Sequence, residues 1–282
     1  MIITTAGVIG AGTMGLGIAQ ILAQSGRQVF LADVSLHARA VALDKIADSL
    51  SKLRHKGTIT EAEQASTLGR VRLFASLESF CECQIVIEAA SENIEIKQSI
   101  FESLDQICPT NSILASNTSS LPLTRIAAWS RNPERVIGMH FMNPVPLMPL
   151  VEIVRALQTG DAAWQTVESL ARDLGKTPVT VRDAPGFVSN RILMPMINEA
   201  IFALHDNVAE VESIDSVMRL GMHHPMGPLA LADLIGLDTC LSVMNVLYQS
   251  FQDSKYRACP LLAQMVAAGR LGRKSGQGFY AY

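Results

Sequence analysis

Along residues 1–183, short apolar runs alternate with longer stretches whose apolar positions recur every three or four residues. The runs, at Val8-Ile9, 28–32, 70–74, 85–88, 112–116, 136–139, 150–154 and 177–181, read as strands. The stretches between several of them, 16–24, 36–55 and 94–107, read as helices, the second long and amphipathic. Strands separated by helices predict a mostly parallel sheet covered on both faces. The pattern then changes at the turn cluster Asp183-Ala184-Pro185-Gly186, beyond which 187–205, 211–220, 229–251 and 261–268 read as helices. Pro195 falls inside the first of these and is expected to kink it. The expected organisation is an α/β domain over 1–183 with a doubly wound, mostly parallel sheet, then an all-α domain over 184–282.

A chain of 282 residues, 49% hydrophobic and 17% charged, can bury cores for two such domains. Its net charge of -3 gives no global field for nucleic acid or an anionic membrane, so an anionic ligand would have to be held by local groups. The five cysteines are odd in number, and Cys81-x-Cys83 is too close for an ordinary staple and has no matching cluster for zinc. His223-His224 reads as a turn element, so no metal is expected. Reduced thiols, the lack of a basic leader before the first strand and the lack of a bilayer-length apolar run lead us to expect a cytoplasmic protein without a membrane partner.

The first strand runs into Gly10-Ala11-Gly12-Thr13-Met14-Gly15, and a helix follows. Glycine at 10 allows the tight turn, glycine at 12 allows backbone approach to a pyrophosphate, and glycine at 15 allows close packing of helix on strand. Asp33 ends the second strand, 18 residues after Gly15, where a carboxylate accepts from ribose hydroxyls and repels a 2′-phosphate. The domain is therefore expected to be Rossmann-type and to take NAD rather than NADP.

A second candidate is the segment from His140 to Glu152, with prolines at 144, 146 and 149. It cannot be helical and is expected to form a rigid turn between strands 136–139 and 150–154, with a polar group at each mouth. An imidazole exchanges protons near neutral pH, and a nearby carboxylate fixes its tautomer and favours its charged form. A buried histidine and an unrelated solvent-facing glutamate would fit the same letters, so context must decide. Ser49, Lys52 and Lys56, at i, i+3 and i+7, share one face of the helix over 36–55. They could hold phosphates or form an ordinary solvated face.

With these motifs in order, the chain resembles the L-3-hydroxyacyl-CoA dehydrogenases, in particular their short-chain bacterial form. The resemblance also rests on Ala115-Ser116-Asn117-Thr118-Ser119-Ser120, on 183–191, on 224–233 and on 274–280, and so spans nearly the whole chain. It implies NAD-dependent oxidation of an L-3-hydroxyacyl-CoA, with His140 as the base and Glu152 as its orienting partner. Ser119 would contact the substrate hydroxyl and the nicotinamide side, and Asn190 would lie near the reacting carbon and the thioester. It further implies cofactor contacts at Glu92, Lys97, Asn143 and Lys274, coenzyme A contacts at Ser49 and Lys56, and a homodimer formed through the helical domain. Because Ser119 and Asn190 fall in different domains, catalysis would be expected in a cleft. Met142, Ser189, His223 and Ala230 depart from the family's usual residues; none removes a catalytic group, but they leave acyl-chain preference open. Met142, Met148 and Met194 are candidates to line an acyl pocket.

Two other readings remain at this level. One is a dehydrogenase of the same architecture acting on 3-hydroxyadipyl-CoA, L-gulonate or a carrier-protein-bound hydroxyacid. The other is a non-catalytic NAD-binding protein, structural or redox-sensing, against which the joint retention of His140, Glu152, Ser119 and Asn190 argues.

Overall fold

The structure, a computed structural model, describes residues 1–282. They form two compact units, Met1–Asp183 and Ala184–Tyr282. The first is built on eight strands: β1 (Thr5–Ile9), β2 (Gln28–Ala32), β3 (Val71–Phe74), β4 (Ile85–Glu88), β5 (Ile113–Ser116), β6 (Val136–Phe141), β7 (Leu150–Arg155) and β8 (Thr177–Arg182). They lie in one sheet in the order β3-β2-β1-β4-β5-β6-β7-β8. β3 through β6 are mutually parallel, β7 runs antiparallel to β6, and β8 is parallel to β7. The six-strand parallel part has the dinucleotide-binding order, with its reversal between β1 and β4.

Seven helices accompany this sheet: α1 (Thr13–Gln24), α2 (Leu36–Ala40), α3 (Ala42–His55), α4 (Glu61–Gly69), α5 (Ile94–Ile107), α6 (Leu123–Ala127) and α7 (Asp161–Asp173). The core joins strand residues such as Val8, Leu31, Ile87, Ile137 and Ile153 to Ile18 and Leu22 of α1, Ile46 and Leu50 of α3, and Val167 and Leu170 of α7. The single helix expected over 36–55 is two, broken at Val41. α2 buries none of its residues while α3 buries Ala42, Ile46 and Leu50, so the two segments obey different packing demands. The pattern of apolar runs also passed over α4, α6 and α7. Among these, α4 is opened by a capping box in which Thr60 and Glu63 satisfy each other's backbone N–H groups.

The second unit comprises α8 (Ser189–His205), α9 (Val211–Ser216), α10 (Pro228–Ile235), α11 (Leu237–Phe251) and α12 (Pro260–Ala267). Their core includes Met194, Ile197, Ile201, Leu229, Met244, Leu247 and Leu262. α8 runs through Pro195 as one element. The helix expected over 229–251 is instead α10 and α11, which meet at 97°. The break lies at Gly236, whose φ of 104° no helix accepts and whose lack of a Cβ makes possible. No single helix is long and apolar enough to cross a membrane.

One buried charge cluster anchors the strand that matters most below. Asp105, near the end of α5, accepts from the Ser130 hydroxyl at 2.6 Å, from Arg131 Nε at 2.6 Å and from Arg135 at 2.8 Å, immediately before β6 begins. Burial alone would raise the pKa of Asp105, but these hydrogen bonds outweigh it and hold the carboxyl well below its usual range. A depressed folded-state pKa contributes stability above the unfolded value, near ~4, and loses it as pH falls toward the folded value. Asp105→Ala strips the counter-charge from the buried Arg135 and should lower the unfolding free energy by about 3–5 kcal/mol in chemical denaturation. The parent should lose stability below about pH 4, and the same pH series on Asp105→Asn should give a shallower decline. Equal acid sensitivity in the two proteins would remove Asp105 from this role.

Candidate active site

The carboxyl ends of β1, β2, β4, β5 and β6 share one edge of the sheet, because all five strands are parallel. The glycine loop, Asp33, Glu88 and His140 lie at or next to these strand ends.

At the end of β1 the glycine loop is shaped by close approaches. Gly10 has φ of 99°, and a Cβ on it would sit 2.5 Å from the Ala89 carbonyl oxygen. A Cβ on Gly15 would lie 1.8 Å from the Gly10 carbonyl oxygen, so only glycine lets α1 start this close to β1. Gly12 differs, since its missing Cβ points into open space and its backbone can be approached from outside. No side chain caps the first turn of α1, whose N–H groups together with the helix dipole form an anion site. Asp33 closes the loop from β2: Oδ2 accepts from Ala11 N and Oδ1 from Ser35 N, both at 2.7 Å. An ionised carboxylate has about four acceptor positions, so capacity remains for ribose hydroxyls. These residues fit a dinucleotide.

Beyond β4 and β5 lies a network of buried ions. Lys97 is 1% exposed and Glu88 is fully buried. Lys97 Nζ donates to Glu88 Oε1 at 2.6 Å and lies 3.3 Å from Glu92 Oε2. Glu88 also accepts from Ala90 N and the Ser116 hydroxyl. Glu92 Oε1 gathers the Thr118 and Ser120 hydroxyls and the backbone N–H groups of Ser119 and Ser120. Burial would raise the pKa of Glu92, but the Lys97 ammonium and these donors outweigh it and hold the carboxyl below its ordinary range. The backbone at Ser119 is thus strapped to Glu92, and Glu92 to Lys97. Lys97, implied as a cofactor contact, spends its ammonium on two carboxylates of its own chain.

β6 carries the imidazole. The expected turn had His140 just beyond strand 136–139, but β6 runs on to Phe141, so His140 lies within it, while Glu152 is the third residue of β7, as in the expected strand 150–154. Antiparallel register sets them directly opposite one another, so both side chains leave the same face. His140 is 7% exposed and Glu152 2%, which disposes of a solvent-facing glutamate. His140 Nδ1 meets Glu152 Oε2 at 2.7 Å. A carboxylate only accepts, so in the neutral ring Nδ1 carries the hydrogen and the lone pair lies on Nε2. Asn117, just before Ser119, accepts from Phe141 N at 3.0 Å and ties the serine loop to the strand bearing His140.

The remaining candidates are carried by other segments. Ser49 is on α3, Lys52 is exposed in its last turn and Lys56 caps its end. Asn143 follows β6 in the proline turn. In the second unit, Asn190 is in the first turn of α8, and Lys274 donates to Asp238. Among the supporting residues, Glu88 was not anticipated as more than a strand end. A carboxylate closing an otherwise apolar buried strand was the available signal. Asn117 stood inside a quoted motif, but its contact spans the sheet and has no local signature.

Comparison with known proteins agrees with this arrangement. One solved relative, described as the crystal structure of (S)-3-hydroxybutyryl-CoA dehydrogenase from Ralstonia eutropha, is 51% identical with a TM-score of 0.96, covering 100% of this chain and 99% of that one. A Bacillus subtilis protein named "Probable 3-hydroxybutyryl-CoA dehydrogenase" is 55% identical over 98% of this chain and 96% of its own. The 3-hydroxybutyryl-CoA dehydrogenase of Bradyrhizobium diazoefficiens is 48% identical over 100% of this chain and 96% of its own. The family described as "3-hydroxyacyl-CoA dehydrogenase, NAD binding domain" matches residues 5–184, and its "C-terminal domain" counterpart matches 186–282. With both halves matched in order, and with the sheet edge bearing the glycine loop and the buried His140–Glu152 pair, the chain belongs to the 3-hydroxyacyl-CoA dehydrogenase family.

Proposed function

We propose that this protein oxidises short L-3-hydroxyacyl-CoA thioesters, 3-hydroxybutyryl-CoA foremost, to 3-oxoacyl-CoA with NAD, and catalyses the reverse reduction. The observation that carries the reading is the buried His140–Glu152 pair on a dinucleotide-binding sheet edge. NAD, when bound, supplies the hydride acceptor for the hydrogen on C3. His140 Nε2 takes the proton of the C3 hydroxyl as that carbon becomes a carbonyl, and Glu152 faces the positive charge that then forms on the imidazole. In the reverse direction the imidazolium returns the proton to oxygen. The Ser119 hydroxyl orients the substrate oxygen from a backbone that Glu92 already fixes, and Asn190 is assigned to the thioester side. Asp33, the glycine loop, Glu92, Asn143 and Lys274 are assigned to the cofactor, with Lys97 acting through Glu92. Ser49 and Lys56 are assigned to coenzyme A.

A homodimer formed through the second unit belongs to this reading. It is supported by exposed apolar side chains there, among them Ile192, Val217, Leu220 and Met222. A cytoplasmic location is supported by five unpaired cysteines, four of them buried. Burial pushes the Cys83 thiol up to about 12, which keeps it protonated and inert.

The experiment that tests the function is loss of NADH absorbance with acetoacetyl-CoA, repeated over acyl lengths, a dicarboxyl analogue and NADPH. Inactivity at high enzyme concentration would revive the non-catalytic reading, and preference for the dicarboxyl substrate would favour the adipyl one. His140→Gln should lower turnover by about 10² to 10⁴ while NAD affinity stays near that of the parent. Near-normal turnover would end that assignment. Glu152→Gln removes the counter-charge of the imidazolium, so the rising limb of the oxidation rate against pH should move to lower pH as the maximal rate falls. An unchanged profile counts against the pair. In Lys56→Ala, KM for acyl-CoA should rise more than KM for NAD; equal changes would leave Lys56 on a solvated face.

A further inference from the structure

The turn between β6 and β7 is poor in its own hydrogen-bond donors. Pro144, Pro146 and Pro149 have no N–H, so the carbonyls of the segment must find partners elsewhere or stay unpaired. Inside the turn, Leu147 N and Met148 N both donate to the Pro144 carbonyl. The carbonyls of Val145 and Met148 instead accept from Lys176 Nζ, at 2.6 and 2.7 Å.

Lys176 is well placed for this. It follows Gly175, whose φ of 70° ends α7, and it precedes β8. Its own N–H donates to the Ala171 carbonyl, and the next residue, Thr177, donates to the Pro149 carbonyl at 2.7 Å. The side chain therefore springs from a backbone fixed on both sides. Only 9% of the residue is exposed, and burial pulls its pKa below the ordinary lysine range; the two carbonyls are the partners that offset the cost of burying the ammonium. From the other side, α1 presses on the same turn. A Cβ on Gly17 would fall 2.8 Å from Val145 Cβ.

We propose that Lys176 is a positioning residue for the reaction: its ammonium fixes the turn that carries Met142 and Asn143 away from His140 and back to Glu152. The functional consequence rests on the dehydrogenase reading, in which Asn143 meets the cofactor. A turn released from Lys176 can slide along α1, and a displacement of about 1 Å at a cofactor contact can cost on the order of 10² in rate. Lys176 also lines a cavity of about 410 Å³, together with Ile21, Gln24, Pro146, Leu147 and Leu174. Leu147 is 61% exposed, so the cavity is reached from solvent. A small cation can therefore enter where the lysine head was.

The test uses Lys176→Ala and Lys176→Met, each with and without ethylammonium, read by NADH affinity from fluorescence titration and by turnover with acetoacetyl-CoA. Both variants should bind NADH more weakly and turn over about 10 to 10² times more slowly than the parent. Ethylammonium should restore both quantities several-fold in Lys176→Ala. It should do little in Lys176→Met, whose side chain fills the space without offering a donor. Parent-like NADH affinity and turnover in Lys176→Met, or losses in Lys176→Ala that ethylammonium leaves untouched, would overturn the proposal. So would failure of both variants to fold with ethylammonium present, which would make Lys176 a stability residue alone. NADH affinity separates this proposal from the substrate assignment, because it is read without any acyl-CoA.

Discussion

An ion withdrawn from water costs several kcal/mol unless a partner of opposite charge and enough hydrogen bonds replace the solvent, and the first unit is organised around meeting that requirement. Glu88, Lys97, His140, Glu152, Asp105 and Arg135 are all buried. Each is held by an identified partner: Lys97 by Glu88, His140 by Glu152, Arg135 by Asp105. The partnerships leave little freedom, since moving one group would strand another in a low-dielectric surrounding. That rigidity reaches the backbone of Ser119 through Glu92 and the start of β6 through Asp105. The geometry of the candidate site is a by-product of satisfied burial.

Topology supplies the second constraint. A purely parallel sheet would set a carboxylate beside His140 only through a crossover connection, whereas the reversal from β6 to β7 does so through a short turn. Residues 140 and 152 then face each other across one antiparallel rung. The prolines of that turn stiffen it but remove donors, and Lys176 supplies what they lack. β8 continues the logic, since its parallel pairing with β7 sets Val179 beside Glu152.

Much of this was legible in one dimension because local physics wrote it there. The glycine spacing at 10, 12 and 15 answers to steric approaches within a few residues of chain, and Asp33 ends a strand whose apolar run is unmistakable. Elsewhere local rules pointed the wrong way. Periodicity runs one helix through Val41, because the letters of α2 continue the pattern of α3 although α2 buries none of them, and another through Gly236, because α10 and α11 both bury apolar residues on either side of the turn. The apolar run alone ends β6 two residues early, since His140 is polar and nothing local says that a polar side chain is paired across the sheet.

The sequence by itself determined the layered architecture, the dinucleotide loop, the change from α/β to helical at Asp183, and the identities of the acid–base candidates. These depend on hydrophobic period, glycine and proline, whose effects are confined to neighbouring residues. Only the tertiary structure decided that His140 faces Glu152 on one rung, that Lys97 serves Glu92 and Glu88, that Asn117 reaches Phe141, and that Lys176 holds the proline turn. Each of those contacts joins residues distant in the chain, and its strength comes from burial, which exists only once the sheet has closed over it.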